Sequence, residues 1–238
     1  MALKGTRVSG MAVDNMQLLK ETISKDNVQL SMENFLRNPN RFYNNPNAAF
    51  IYKTLVETVS SVEYIYEKTK IQRVRSDYPK SQLGKQLRIA MQMMLSGVGT
   101  QIYYVTQTGF DTHIKQEGRH NNLMEQYAKA VSVFVDDLKK HGLFDNTLIM
   151  TFSEFGRRVK ENESMGTDHG TANNVMVIGK NLRRAGFYNR PSNLTNLDQG
   201  DLRFEIDFRQ IYATLLERWL GNNDLSILRG MYKPLDFL

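Results

Sequence analysis

Hydrophobic residues recur every three or four positions in four segments of the chain, which is the spacing of one face of an α-helix. These predicted helices span residues 48–70, 81–95, 119–141 and 207–220. We expect Gly97 to end the second helix and Gly142 the third, because glycine readily adopts the left-handed backbone found at helix ends. Asp207 is expected to cap the start of the fourth helix.

Three shorter segments, residues 101–106, 147–152 and 175–178, are rich in β-branched and aromatic residues and predict strands. The first two are apolar on both faces and flank the predicted helix 119–141. A strand, a helix and a strand at this spacing predict a right-handed βαβ unit. We therefore predict an α/β fold with a mixed, mainly parallel sheet flanked by helices.

The length and composition of the chain limit the number of domains and the kinds of metal ligand that it can contain. Its 238 residues, 41% hydrophobic and 24% charged, suit one ordered domain. We predict a helical N-terminal segment over residues 1–75 and the α/β core over 76–238. The absence of cysteine excludes disulfides and thiolate metal ligands. Neither a signal peptide nor a membrane-inserted segment is predicted, and the oligomeric state stays open.

The net charge of +6 either favours anionic partners or serves solubility. A basic run joins the first two predicted helices: Lys70, Arg73, Arg75, Lys80, Lys85 and Arg88. No aromatic residues or nucleic-acid-binding motif accompany this run, so we interpret it as a solvated helical edge and expect no nucleic-acid partner.

Three of the four histidines lie in two polar segments, Gly109-Phe-Asp-Thr-His113 and Gly166-Thr-Asp-His-Gly170. Carboxylate oxygen and imidazole nitrogen together bind zinc, manganese or iron. Asp111 and His113 are two apart, so their side chains point to the same side of an extended backbone. They predict a chelating pair, with His169 as the third ligand; the alternative is a turn-capping aspartate beside a histidine bonded to backbone.

The predicted strands give these residues positions. Asp111 and His113 follow the first strand and Glu154 follows the second, where open α/β sheets bind ligands. His169 precedes the third strand, so it joins them only if that strand is antiparallel or the long loop 156–174 folds back. We expect an antiparallel strand.

The neighbouring residues carry alternatives. Asp168 either orients a metal ligand, binds a second metal or caps a turn. Glu154 either binds metal or acts as a general base, or it forms an ion pair with Arg157 or Arg158. The planar guanidinium group of Arg157 is suited to bind the oxygens of a phosphate or sulfate group.

The remaining polar residues have plainer interpretations. Ser153 is interpreted as a strand-end hydroxyl rather than a nucleophile, because no activating base is evident. His120 is expected at the surface or behind the ligands, and His141 near a helix C-terminus, where its charge would complement the helix dipole.

Several motifs resemble one bacterial family, the domain-of-unknown-function family 1501, over roughly residues 78 to 221. They are Gly109-Phe-Asp-Thr-His-Ile-Lys-Gln116, Thr151-Phe-Ser-Glu-Phe-Gly-Arg-Arg158, Glu161-Asn162, Gly166-Thr-Asp-His-Gly-Thr-Ala172, Phe187-Tyr188, Pro191-Ser192, Leu197-Asp198, Gly200-Asp-Leu202 and Asp207-Phe-Arg-Gln-Ile-Tyr212. Members often carry a twin-arginine export signal, so the resemblance implies an exported, periplasmic location for the full-length protein.

The family is grouped with the alkaline phosphatase and sulfatase superfamily, so the resemblance implies an incomplete alkaline phosphatase-like fold and a divalent metal, preferably zinc or manganese. By this resemblance Asp111, His113 and His169 bind one metal ion. Glu154 stands in for a metal-binding aspartate and Phe155 for a metal-binding histidine, which removes part of a second site. In another alignment, Asp168-His169-Gly170 is itself the superfamily's Asp-His-Gly motif.

The superfamily places its nucleophile on strands upstream of these motifs, and nothing here matches that region. The chain therefore looks like the C-terminal part of such a protein, and weak or absent activity is expected from it alone. One hypothesis is a metal-dependent hydrolase of an anionic phosphate or sulfate ester, with Arg157 or Arg209 holding the anion. The other is a non-catalytic binding or assembly protein on the same scaffold.

Overall fold

In the computed structural model of the chain, residues 21, 45–70, 73–222 and 227–238 are described. The chain divides into two compact units, the first ending at Thr106 and the second comprising Gln107–Leu238. The predicted division at residue 75 stays a prediction. The sequence Asn38-Pro-Asn40, which predicts a turn because proline and asparagine favour non-helical backbone, lies outside the described residues.

The described part of the first unit contains two helices, α1 (Pro46–Thr69) and α2 (Gln82–Leu95), close to their predicted bounds. Each begins at a side-chain cap, because Asn45 Oδ1 accepts the amide of Asn47 at 3.0 Å and Ser81 Oγ accepts that of Gly84 at 3.2 Å. The buried apolar residues that the structure describes in this unit are Val62, Val74, Tyr78, Leu83, Leu87, Ala90 and Met91.

The strand predicted over residues 101–106 is absent. The segment has no regular secondary structure, and Ile102 and Tyr104 are 66% and 58% exposed. Its last backbone amide, at Thr106, donates to the Gln86 side chain at 2.7 Å instead of to a neighbouring strand. β-branched and aromatic residues favour a strand only where a partner strand and a packing surface exist.

The first helix of the second unit is α3 (Gln116–Lys140), which confirms the helix predicted over residues 119–141. Gly142 follows with a φ of 68°, as expected of a glycine beyond a helix end. A 3₁₀ turn, Phe144–Asn146, leads into the strand β1 (Ile149–Thr151).

Within the described ranges, six short strands form three two-stranded antiparallel sheets. β1 pairs with β4 (Met176–Ile178), β2 (Gly156–Glu161) with β3 (Thr167–Gly170), and β5 (Leu197–Asp198) with β6 (Asp201–Leu202). The antiparallel orientation of the strand after His169 is therefore confirmed. The segment 156–174, predicted as a long loop, contains the β2–β3 hairpin.

The predicted mainly parallel sheet is wrong, because every strand pair in the described part of the chain is antiparallel. Without a strand at residues 101–106 there is no first strand for the βαβ unit. β1 takes its partner from β4 and stays half-buried rather than covered on both faces.

The last helix, α4 (Phe208–Thr214), continues as a π-helical turn, Leu215–Trp219. Asp207 caps α4 by accepting the amide of Arg209 at 2.9 Å, as predicted. Thr214 is fully buried, and its Oγ1 accepts the amide of Leu235 at 2.8 Å, which ties the C-terminal segment to the helix. Among the helices of the described residues, none combines the length and the apolar character needed to span a membrane.

Candidate metal centre

A tight turn presents Asp111 and His113 on one side of the backbone. Gly109 takes a φ of 101°, and the amide of Thr112 donates to the carbonyl of Phe110 at 2.8 Å. Thr112 is buried, whereas the side chains of Asp111 and His113 are 67% and 43% exposed. The alternation expected of an extended segment therefore directs both polar side chains outward.

The β2–β3 hairpin brings His169 to the same place. His169 lies opposite Arg157 in the register, and Gly156 lies opposite Gly170. A Cβ atom at Gly156 would come within 1.7 Å of the carbonyl oxygen of Ala172, so only glycine fits there.

The three predicted ligands converge. Asp111 Oδ1 lies 2.9 Å from His113 Nε2 and 2.8 Å from His169 Nε2. One ligand atom from each residue lies within 4.8 Å of the other two, and the side chains are solvent-exposed. Asp111, His113 and His169 thus form a candidate metal-binding group, as the sequence predicted.

The donor set and spacing suit a divalent ion. Metal–ligand bonds of about 2.0–2.1 Å place tetrahedral ligand atoms about 3.3 Å apart. The two distances from the Asp111 oxygen, 2.8 and 2.9 Å, are slightly shorter, so an ion requires an opening of roughly half an ångström. Their exposure leaves room for further ligands, as in sites with three protein ligands and an open position.

Asp168 lies on the other side of the His113 ring. Its Oδ1 is 3.4 Å from His113 Nδ1 and accepts a hydrogen bond from Asn162 Nδ2 at 3.3 Å. A carboxylate at the second nitrogen fixes the tautomer that leaves Nε2 free to bind metal. Of the three alternatives for Asp168, this arrangement favours the one in which it orients a ligand.

Asn162 holds the hairpin turn against the Asp111–His113 segment. Its Oδ1 accepts the amides of Ser164 at 2.9 Å and Gly166 at 3.1 Å, and its Nδ2 donates to the carbonyl of His113 at 3.1 Å. The amide of Lys115 also donates to the carbonyl of Ser164 at 2.9 Å. The turn and the loop are therefore joined by a side-chain bond to the carbonyl of His113 and by a backbone bond at Lys115.

Arg157 joins the same two segments from within. Its guanidinium donates to the carbonyl of Thr167 at 2.6 Å and to that of Phe110 at 2.5 Å, and it reaches Thr112 Oγ1 at 3.3 Å. The guanidinium group of Arg157 is therefore bonded to the backbone near Asp111 and His169. Its predicted role in binding an anion stays a prediction.

Phe155, which the resemblance matched to a metal-binding histidine, lies flat against His169. The two rings are 3.9 Å apart with an interplanar angle of 10°. The His113 and His169 rings are 4.8 Å apart and tilted by 36°. Stacking restricts rotation of the His169 imidazole and helps to keep Nε2 directed at Asp111.

The other predicted site residues do not join this group. Glu154 is exposed, lies outside the three-residue group and forms no ion pair with Arg157 or Arg158 among the described contacts. Arg209 binds both oxygens of Asp207 and stacks over the Tyr232 ring at 4.6 Å.

The two histidines outside the group and Ser153 take other roles. Ser153 Oγ donates to the carbonyl of Phe155 at 3.1 Å, in keeping with a strand-end hydroxyl. His120 stacks edge-on against Phe110, with 5.7 Å between the ring centroids. His141 is the C-cap residue of α3.

Both carboxylates at the site are favoured in their charged form. A hydrogen bond from His169 lowers the pKa of Asp111 below its ordinary value. The hydrogen bond from Asn162, followed by that from His113, lowers the pKa of Asp168. A carboxylate binds a metal ion, or orients another metal ligand, in its ionised form.

Sequence reasoning missed Asn162 and the clamping role of Arg157. Asn162 carried a signal, since an asparagine two residues before a serine and four before a glycine suits a turn in which its side chain accepts following amides. No sequence signal indicated the role of Arg157, because the residue type alone does not distinguish an arginine that binds backbone carbonyl groups from one that binds an anion.

The family model described as "Protein of unknown function (DUF1501)" matches residues 25–220, and the chain belongs to this family. No curated protein matches the chain, and no solved structure does.

Proposed function

We propose that this member of the DUF1501 family binds one divalent metal ion, zinc or manganese, through Asp111, His113 and His169. The observation that carries the proposal is the convergence of three ligand atoms, with Asp111 Oδ1 within 2.9 Å of both histidine nitrogens. The mixed oxygen and nitrogen donor set suits these ions.

We further propose that the metal serves the hydrolysis of a phosphate or sulfate ester. Two observations support this: the exposed ligands leave the metal accessible, and the motifs resemble the alkaline phosphatase and sulfatase superfamily. A bound ion would act there as a Lewis acid on an ester oxygen. Glu154, exposed at the end of β1, is the candidate general base.

The contacts of the two arginines favour a second candidate function, a non-catalytic metal-binding or assembly protein. Arg157 and Arg209 were the predicted anion holders, and both guanidinium groups bind groups of the chain itself. Among the described residues, the hydroxyl group of Ser153 bonds only the backbone of Phe155, so no activating base for it is found there.

Metal titration of the purified chain tests the binding step. We expect one zinc or manganese ion per chain by calorimetry and elemental analysis, and loss of binding in the His113→Ala/His169→Ala variant. The matched control is His141→Ala, which removes an exposed histidine outside the group. Unchanged metal content in the double variant would refute the site.

Ester hydrolysis is tested next with the metal-loaded protein. Turnover of 4-nitrophenyl phosphate or 4-nitrophenyl sulfate that disappears on chelation and in the double variant would support the hydrolase. A Glu154→Gln variant that keeps its metal but loses turnover would support the general base. Metal binding without turnover of either ester would favour the non-catalytic function.

A further inference from the structure

A second concentration of charge lies in the first unit, in a groove of about 480 Å³. Six residues line this basic groove: Lys70, Arg73, Val74, Arg75, Arg88 and Gln92. Four of the six carry a positive charge, and none of these described lining residues is acidic. The volume lies within the range of small-molecule sites and exceeds what one phosphate group fills.

Two side chains of α2 hold the wall of the basic groove in place. Arg88 donates to the carbonyl of Val74 at 3.2 Å, and Gln92 donates to the carbonyl of Thr69 at 2.9 Å. Val74 is itself buried. The backbone that carries Arg73 and Arg75 is therefore anchored at Val74, between them, while their side chains stay exposed.

The charge of the basic groove is only partly balanced. Lys70 forms an ion pair with Glu67, three residues earlier in the chain. Among the described residues, the ion pairs include no carboxylate partner for Arg73 or Arg75. Gathering like charges costs energy, because nearby charges of one sign repel. A bound anion would offset this cost.

The end of α1 offers a simpler explanation for part of the cluster. Basic residues near a helix C-terminus interact favourably with its dipole, and Lys70 is the C-cap residue of α1. This effect fades within the last turn. It does not account for Arg73 and Arg75, which follow the helix, or for Arg88, which belongs to α2.

We propose that the basic groove binds a small ligand that carries two or more phosphate groups. Guanidinium groups bind phosphate oxygens in a bidentate manner, and Arg73 and Arg75, whose side chains are exposed, can each engage one such group. Because the cations are exposed, binding weakens as salt concentration rises. The proposal does not depend on the metal centre.

Calorimetric titration of the chelator-treated full chain with inorganic tripolyphosphate tests this proposal. We expect saturable binding that weakens with added salt, and an affinity lowered at least tenfold in the Arg73→Glu/Arg75→Glu variant. Both side chains are exposed, so the variant is expected to keep its fold, which circular dichroism checks. If it does not, Arg73→Gln/Arg75→Gln takes its place in the same titration.

The matched control is Lys80→Glu/Lys85→Glu, which makes the same charge change on exposed residues outside the basic groove. We expect its affinity to stay within about twofold of the unaltered chain. Equal losses in the two variants would show general charge attraction and overturn the proposal, as would the absence of saturable binding. Tighter, Arg73-dependent binding of a single-stranded oligonucleotide would overturn it in favour of nucleic acid.

Discussion

A single carboxylate oxygen organises the candidate metal centre. Asp111 Oδ1 is within hydrogen-bonding distance of both His113 and His169, which come from segments 56 positions apart in the chain. The sequence predicted these three residues together because their chemical types are those of metal ligands. It could not show that Asp168 lies behind His113, because which nitrogen of a histidine a carboxylate meets depends on the fold of the hairpin.

Arg157 is expected to position the metal ligands without binding the metal. Arg157→Ala removes the bonds to the carbonyls of Phe110 and Thr167, which flank Asp111 and His169. We predict that its metal affinity falls about 10- to 100-fold, the usual effect of losing a group that orients ligands. Calorimetric titration with zinc measures this.

Lys160→Ala is the matched control, because Lys160 is an exposed residue of the same strand. Its metal affinity is expected to equal that of the unaltered chain. If Arg157→Ala left the metal affinity unaltered, the bonds of Arg157 to Phe110 and Thr167 would have no influence on the site.

The β2–β3 hairpin is the element that the site requires most. It carries His169 and Arg157 on paired strands, and its turn meets the loop of His113. The sequence pattern did not predict this hairpin, because its strands are polar and mostly exposed, so they lack the alternation of a half-buried strand. The four helices, with clear apolar faces and caps at Ser81 and Asp207, were predicted well.

Close packing at Gly166 gives a test of the contact between the hairpin and the loop. A Cβ atom there would lie 2.3 Å from the carbonyl oxygen of His113, so Gly166→Ala must push the turn away. We predict both a lower melting temperature and a weaker metal affinity.

Gly118→Ala is the control for that substitution, because Gly118 lies in α3 with open space around its Cα. Alanine favours a helix by up to about 1 kcal/mol over glycine, so this variant is expected to be as stable or more stable. Equal melting temperatures for the two variants would contradict the close contact at Gly166.

The cap of α4 predicts a pH-dependent contribution to stability. Its ion pair with Arg209 lowers the pKa of Asp207, so the folded state favours the charged carboxylate. That contribution is present above the ordinary carboxylate range and is lost as the pH falls through the lowered pKa.

Asp207→Ala is expected to lower the free energy of unfolding by about 1 kcal/mol at pH 7. The difference from the unaltered chain should shrink below about pH 4, where the unaltered carboxylate also becomes neutral. Thermal melts from pH 3 to pH 7 measure it. A difference that stays constant across this range would exclude the charged cap as its source.

At the scale of the molecule, the part that the structure describes has little regular sheet to support the site. The sequence pattern predicted a mixed, mainly parallel sheet, whereas each described sheet has two antiparallel strands. The error arose because pattern alone cannot tell whether an apolar segment such as residues 101–106 finds a partner strand. Metal binding is then expected to contribute noticeably to the stability of the second unit.

We predict that zinc or manganese at about 100 times its dissociation constant stabilises the folded chain by about 2.7 kcal/mol. Scanning calorimetry with and without chelator measures the resulting rise in melting temperature. The His113→Ala/His169→Ala variant should show no rise. An equal rise in that variant would locate the stabilising metal elsewhere.

The stacked ring of Phe155 has a consequence for how molecules reach the metal centre. With its ring centroid 3.9 Å from that of His169 and the two rings nearly parallel, it shields one face of the imidazole from solvent. An incoming molecule is therefore expected to reach the metal centre from a side that the Phe155 ring does not cover, so that one direction of entry is favoured over another. A bulky group on the shielded side of a substrate would be tolerated less well than the same group on the open side.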